Sequence, residues 1–205
     1  MSNEVKNKVD MDPKYIIKLT VTLFLTCMVV AGVLGWVNSI TKDKIAAITW
    51  EKTVTAMKEV ISADDFSDAM ELTDDMTAAA STAGGTLDSA YEVVVNGEND
   101  GYAIKVVASG SQGNIEMVVG VDGAGTVTGV SIVDNSETAG IGSKVMDNEP
   151  LASGVPVLEQ FEGKSEADMP LTVGSNVDAI SGATVSTKGV TAGVNAALAV
   201  AGVMG

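Results

Sequence analysis

Leu19 to Thr41 is a run of 23 residues without a single charge, LTVTLFLTCMVVAGVLGWVNSIT, bracketed by Lys18 and Lys42. As a helix rising ~1.5 Å per residue it spans roughly 34 Å, enough for a hydrocarbon core of about 30 Å. Tyr15 and Trp36 stand near its two ends, where amphipathic rings favour the membrane interface. Lys18 reaches water along its aliphatic stem. A cleaved signal peptide would show an apolar stretch of about 7–15 residues with a small-x-small site close behind. This run is longer and continues into Asn38-Ser39-Ile40-Thr41-Lys42, so a retained transmembrane anchor is expected. The charges around it do not orient it. Lys6, Lys8, Lys14 and Lys18 precede the run; Lys42, Lys44, Lys52 and Lys58 follow it. The count is tied, and the positive-inside rule does not decide.

The remainder is acidic. The 205 residues hold 27 Asp+Glu against 12 basic residues, all Lys, for a formal net charge of -15. That balance argues against a nucleic-acid partner, which needs a basic face to displace counterions from phosphate. There is no His, which removes His-based triads and imidazole ligation of zinc, copper or haem. One cysteine, Cys27, excludes an internal disulfide and a Cys-ligated iron–sulfur cluster.

Residues 42–62 read as an amphipathic stalk helix, with Ile45, Ile48, Ala56, Met57, Val60 and Ile61 largely at three- and four-residue intervals. Ser62–Asp88, with Asp64-Asp65, Asp74-Asp75 and Gly84-Gly85, reads as a solvated loop or weak helix. No ligand spacing there supports a divalent-cation site. From Ala90 the period becomes two. Tyr91–Val95, Tyr102–Ser109, Ile115–Val121 and Val127–Val133 are separated by turn-rich clusters, Asn96–Gly101 among them, which predicts an antiparallel meander. Ser143–Ala152 and Val157–Phe161 are short helix candidates, Pro170–Gly174 is a further strand candidate, and Lys188–Met204 is an Ala/Val-rich helix candidate.

Two short stretches carry the chemical interest. Glu137-Thr138-Ala139-Gly140-Ile141-Gly142 is a glycine-containing loop that matches neither a P-loop nor a dinucleotide fingerprint. Asp178-Ala179-Ile180-Ser181-Gly182-Ala183-Thr184-Val185-Ser186-Thr187 leads into the last helix. A Ser/Gly/Thr loop entering a helix N-terminus suits an anion, because unpaired N–H groups and the positive dipole end face it. The same composition equally suits a plain N-cap made by Ser186 or Thr187.

Asp178, Ser181, Gly182, Ala183 and Thr184, as Asp-x-x-Ser-Gly-Ala-Thr, resemble the flavinylation motif of the FMN-binding domain family. The Glu137–Gly142 loop resembles that family's E-T-P-G-L-G loop, departing at Ala139 and Ile141. One N-terminal span, a stalk and one such domain resemble the G-subunit family of Rnf complexes, membrane ferredoxin:NAD+ oxidoreductases coupled to Na+ or H+ transport.

The resemblance implies an α+β protein. Its expected parts are a cytoplasmic N-terminus (1–18), a transmembrane helix (19–41), a stalk helix and acidic connector (42–89), and an extracytoplasmic FMN-binding domain (90–205) with an antiparallel sheet and flanking helices. It implies FMN covalently attached to Thr184 by a flavin transferase acting on FAD. The implied partners are the other Rnf subunits and membrane lipid, in a cell membrane, and the chain is expected to work as a redox subunit rather than to catalyse alone. Asp178 and Ser181 would shape the acceptor loop or meet the transferase. Gly182 and Ala183 would let the nucleotide approach the backbone, and Glu137, Thr138, Gly140, Ile141 and Gly142 would belong to the flavin site. A tether suits a domain facing a large volume, where free FMN would be lost. Nearby Lys144 and Lys188 oppose the effect of the acidic body on flavin reduction. Two alternatives fit the same layout: the C subunit of a Na+-translocating NADH:quinone oxidoreductase, and a membrane-anchored envelope binding or assembly module without flavin, which leaves both motifs unexplained.

Overall fold

The computed structural model describes residues 13–95 and 97–204. Residues 1–12, most of the expected cytoplasmic segment with Lys6 and Lys8, lie outside the described residues, as does Asn96 of the expected turn. The chain divides into two compact units, Met1–Ile48 and Thr49–Gly205.

In the first unit the apolar run is helical, part of α1 (Pro13–Val60), and long and apolar enough to cross a bilayer. Its threonines do not present free hydroxyls. Thr20, Thr22 and Thr26 donate to the carbonyls of Ile16, Lys18 and Thr22 at 2.9, 2.8 and 2.6 Å. Satisfying these hydroxyls inside the helix removes the cost of placing them in hydrocarbon. Ile45 and Ile48, on the apolar stripe of the expected amphipathic helix, are exposed.

The second unit is built on a five-stranded antiparallel sheet in sequential order. Its strands are β1 (Asp65–Phe66), β2 (Gly85–Val95), β3 (Glu98–Ser109), β4 (Asn114–Asp122) and β5 (Val127–Asn135). The expected meander is therefore present, with an added edge strand. At two residues, that edge strand carries no period in the sequence. Between β1 and β2 lies α2 (Asp74–Thr82), where Thr73 caps the N-terminus through the Met76 N–H and Asp74 and Asp75 oppose the dipole. The acidic connector thus contributes packed structure to the second unit, which begins at Thr49.

Alternation along the strands separates two apolar layers. Ile104, Val106, Ile115, Met117, Val119 and Val121 join the larger core with α2 and α4 (Thr184–Met204). Ala103, Val118, Tyr91 and Val93 join a smaller layer with Ala56, Met57 and Val60 from the end of α1 and Ile61 just after it. Lys105 is buried on this second face and pairs with Asp88 at 3.2 Å and Glu116 at 3.1 Å.

The end of α1 approaches the sheet where Gly120 and Gly129 pair across β4 and β5. Thr128 Oγ1 donates to the Val60 carbonyl at 2.6 Å, which satisfies one of the helix's terminal acceptors. Ser131 Oγ donates to Glu59 Oε2 at 2.7 Å. A Cβ at Gly120 would lie 2.8 Å from the Val60 oxygen and against the Thr128 hydroxyl. Gly120→Ala is therefore expected to cost about 1–3 kcal/mol, the usual range for overpacking. A fall in Tm of the detergent-solubilised chain checks it; an unchanged Tm contradicts this seating of the helix.

The segment after β5 departs most from expectation. The helix expected over Ser143–Ala152 is the single turn α3 (Ser143–Met146). Asn148 sits at φ 53° and Pro150 follows, so the helix does not continue. Val157–Phe161 yields only a 3-10 turn, Glu159–Phe161. Pro170–Gly174 is not a strand. Its Leu171 N–H and C=O pair at 2.9 Å each with the side-chain amide of Asn195 on α4. A buried amide thus takes the place of a neighbouring strand.

Candidate functional site

The acceptor loop is fixed at both ends. At its start, Gln160 Oε1 accepts the Asp178 N–H at 2.8 Å and Gln160 Nε2 donates to the Asp178 carbonyl at 3.1 Å. At its end, the Ala183 N–H closes a turn onto the Ile180 carbonyl at 2.9 Å. Gly182 occupies the third position of that turn at φ 85°, as a type II turn requires. The space a side chain would fill there is open. Ala183 instead is 2 % exposed and belongs to the larger core, where its small size serves packing.

The chain then enters α4 at Thr184. Thr184 and Val185 are exposed, and Ser186 and Thr187 are buried. The Thr187 N–H bonds to the Ala183 carbonyl at 2.9 Å as the first turn closes. The N–H groups ahead of it lack i→i−4 partners and, with the dipole, favour an anion beside Thr184. Neither Ser186 nor Thr187 acts as the expected N-cap, because both lie inside the helix. Thr187 Oγ1 donates to the Ala183 carbonyl at 3.0 Å.

Ser186 points the other way. Its Oγ donates to Glu137 Oε2 at 2.6 Å, across 49 residues of sequence. Glu137 Oε1 accepts the N–H groups of Ser111 at 2.6 Å and Gln112 at 3.2 Å, in the turn joining β3 to β4. Burial alone would raise the Glu137 carboxyl; the Ser186 hydroxyl and these two N–H groups outweigh it and hold it below its ordinary 4.5. The stabilisation from this carboxylate is present above that ordinary value and is lost as pH falls through the lowered one.

The rest of the Glu137–Gly142 loop is turned in on itself. The Gly140 N–H donates to Ser143 Oγ at 2.8 Å and the Ile141 N–H to the Thr138 carbonyl at 3.2 Å. Those two N–H groups, in a loop expected to belong to the flavin site, are engaged within the turn. Thr138 and Gly140 are exposed, and the Ile141 side chain is a large apolar group left in solvent. Gly142 is buried against Glu137 and Ser186. The structure therefore brings Glu137 and Gly142 onto the first turn of α4. Asp178 lines a separate polar cleft of about 420 Å³ with Gln160, Lys164 and Asn176, and Thr184 does not line it. Sequence reasoning missed Ser111, Gln112 and Ser186 as partners of Glu137. Nothing in their spacing announces a contact that the sheet alone creates.

An exposed threonine hydroxyl at a helix N-terminus, with an open Gly182 beside it, accommodates a phosphate ester without displacing core atoms. The model of the FMN-binding domain family matches residues 110–199, which include both loops and most of α4. Fold and site together define an FMN-binding domain in a chain that also carries a membrane-spanning helix. Along nearly its whole length the chain is 34 % identical to the G subunit of the Na+-translocating ferredoxin:NAD+ oxidoreductase complex of Acetobacterium woodii, with 96 % of this chain and 97 % of that protein aligned. It is 32 % identical to the G subunit of the ion-translocating oxidoreductase complex of Methanosarcina acetivorans, over 91 % and 95 % of the two chains. The corresponding protein of Aliivibrio fischeri is 28 % identical over 62 % of each. The chain belongs to the family of G subunits of Rnf-type ion-translocating oxidoreductase complexes, and it is a membrane-anchored member.

Proposed function

We propose that this chain carries electrons through an FMN held covalently on Thr184, as one subunit of a membrane ferredoxin:NAD+ oxidoreductase coupled to ion transport. The observation that carries the reading is the exposed Thr184 hydroxyl at the first position of α4, in an Asp-x-x-Ser-Gly-Ala-Thr loop whose ends are clamped by Gln160 and by the Ile180–Ala183 turn. The two relatives aligned over nearly the whole chain are components of ion-translocating oxidoreductase complexes, which supports the setting. When attached, the flavin supplies reversible redox chemistry that no thiolate cluster or imidazole of this chain provides.

Attachment is a phosphoryl-type transfer catalysed by a flavin transferase. A bond forms between Thr184 Oγ1 and the phosphorus of the FMN half of FAD. The bond from that phosphorus to the AMP half breaks, AMP leaves, and the threonine hydroxyl loses its proton. The first-turn N–H groups of α4 stabilise the phosphoester's negative charge. Asp178, on the cleft side of the loop, is left to meet the transferase. Expressing the full chain with its transferase, then mapping the fluorescent peptide by mass spectrometry, tests the assignment. FMN on Thr184 is the expected result; FMN on Ser181 or Thr187, or none on well-folded protein, rejects it.

The proposed topology places residues 1–18 in the cytoplasm, 19–41 in the membrane, 42–89 as stalk and connector, and 90–205 outside. In a chain with Cys27→Ala, a cysteine at the exposed turn position Ala124 is expected to react with impermeant maleimide in intact cells. Reaction only after the cells are opened contradicts the orientation.

A further inference from the structure

We propose that Glu137 and Ser186 form a latch that positions the Thr184 hydroxyl for flavin transfer, an assignment that rests on Thr184 being the acceptor. Neither residue touches the reacting atoms; both act through the direction of the first turn of α4. Successive residues of a helix are rotated by roughly 100°, so residues two apart lie about 200° around the axis. Holding Ser186 inward therefore holds Thr184 outward. Ser186 is 1 % exposed and its hydroxyl is engaged at 2.6 Å, which leaves the turn little freedom to rotate.

The other end of the latch is equally fixed. Glu137 is not an exposed carboxylate that happens to reach a serine. Two backbone N–H groups hold one of its oxygens, and Ser186 holds the other. Its carboxylate is also enclosed by two glycines: a Cβ at Gly110 would meet Oε1, and a Cβ at Gly142 would meet Oε2 and lie 2.7 Å from Ser186 Oγ. Backbone with no side chain on both sides makes room for this one carboxylate. The contact joins three segments distant in sequence: the β3–β4 turn, the glycine loop and the acceptor helix. An interaction that sets the geometry of a nucleophile acts mainly in the transition state, so its loss lowers kcat more than it raises KM.

The test uses the full chain in detergent with FAD and purified flavin transferase, following FMN incorporation and the thermal unfolding of each variant. Ser186→Ala is expected to lower kcat for flavin transfer by about tenfold to a hundredfold, with KM for the chain changed less than about threefold. Ser186→Thr, which keeps the hydroxyl, is expected to restore most of the rate. Glu137→Gln, which keeps the size but weakens the charge-assisted bonds, is expected to fall between. Gly120→Ala, destabilised on the opposite face of the sheet, serves as control and is expected to be labelled at the wild-type kcat. Wild-type kcat in Ser186→Ala overturns the latch. If Ser186→Ala fails to fold, wild-type kcat in Glu137→Gln overturns it instead. Incorporation by the wild-type chain at a residue other than Thr184 removes the acceptor assignment itself, a result that peptide mapping separates from the other two.

Discussion

Thr184→Val is expected to abolish covalent FMN. Valine keeps the branched shape but has no oxygen with which to form a phosphoester, so labelling falls at least about a hundredfold, to background. The variant folds: residue 184 is exposed at the first position of α4, and such substitutions usually change stability by within about 0.5 kcal/mol. Intact mass loses the FMN increment, the denatured band loses its fluorescence, and ferredoxin-driven NAD+ reduction by the assembled complex collapses. Thr187→Val is the matched control. That residue is fully buried, and its hydroxyl donates to the Ala183 carbonyl, which also accepts the Thr187 N–H. Losing the side-chain bond costs on the order of 1 kcal/mol while the flavin remains. An FMN adduct persisting in Thr184→Val, or vanishing in a well-folded Thr187→Val, contradicts the site.

Phe161→Ala is expected to show the largest loss of stability, about 3–5 kcal/mol, as for other large aromatic truncations in a core. Phe161 is fully buried in the 3-10 turn Glu159–Phe161 and is among the largest enclosed side chains. Its neighbour Gln160 clamps Asp178 and also donates to the Val157 carbonyl at 2.7 Å. A cavity at Phe161 therefore loosens the anchor of the acceptor loop as well as the core. Urea unfolding followed by circular dichroism reads the stability, and gel fluorescence reads the labelled fraction. A wild-type urea midpoint contradicts the packing described for this turn.

The parts of the fold legible in the sequence are those with a local period. The apolar run has no charge in 23 residues, and β2 to β5 alternate over their length with glycine-rich turns between them. Position 184 stands out in the sequence through a motif, because the proposed attachment chemistry needs a particular hydroxyl in a particular loop. Elements held by single side chains were not legible. Asn195 supplies the partner for Leu171 that a strand would have supplied, and Gln160 does the same for Asp178. A lone amide has no period, and its choice of backbone partner is made by packing. The burial of Ala183 and the turn hydrogen bonds of the Gly140 and Ile141 N–H groups were not legible for a related reason. The sequence shows that these groups are small or polar, but not whether the core or a neighbouring turn already uses them.

By itself, the sequence determined a helix long and apolar enough to cross a membrane and an antiparallel meander, and it marked out a short motif ending on Thr184, the proposed flavin acceptor. Hydrophobic length, a period of two and a short motif are properties of neighbouring residues, and neighbours are what a sequence records. Only the tertiary structure decided which side of α4 faces water. Thr184 and Ser186 are near-equivalent hydroxyls on paper. One is exposed and the other is locked to Glu137, because β3, β4 and the loop after β5 bring that carboxylate to the start of the helix. Contacts across 49 residues depend on how the sheet closes over its core, and that closure is a collective result of packing which no single stretch of the chain contains.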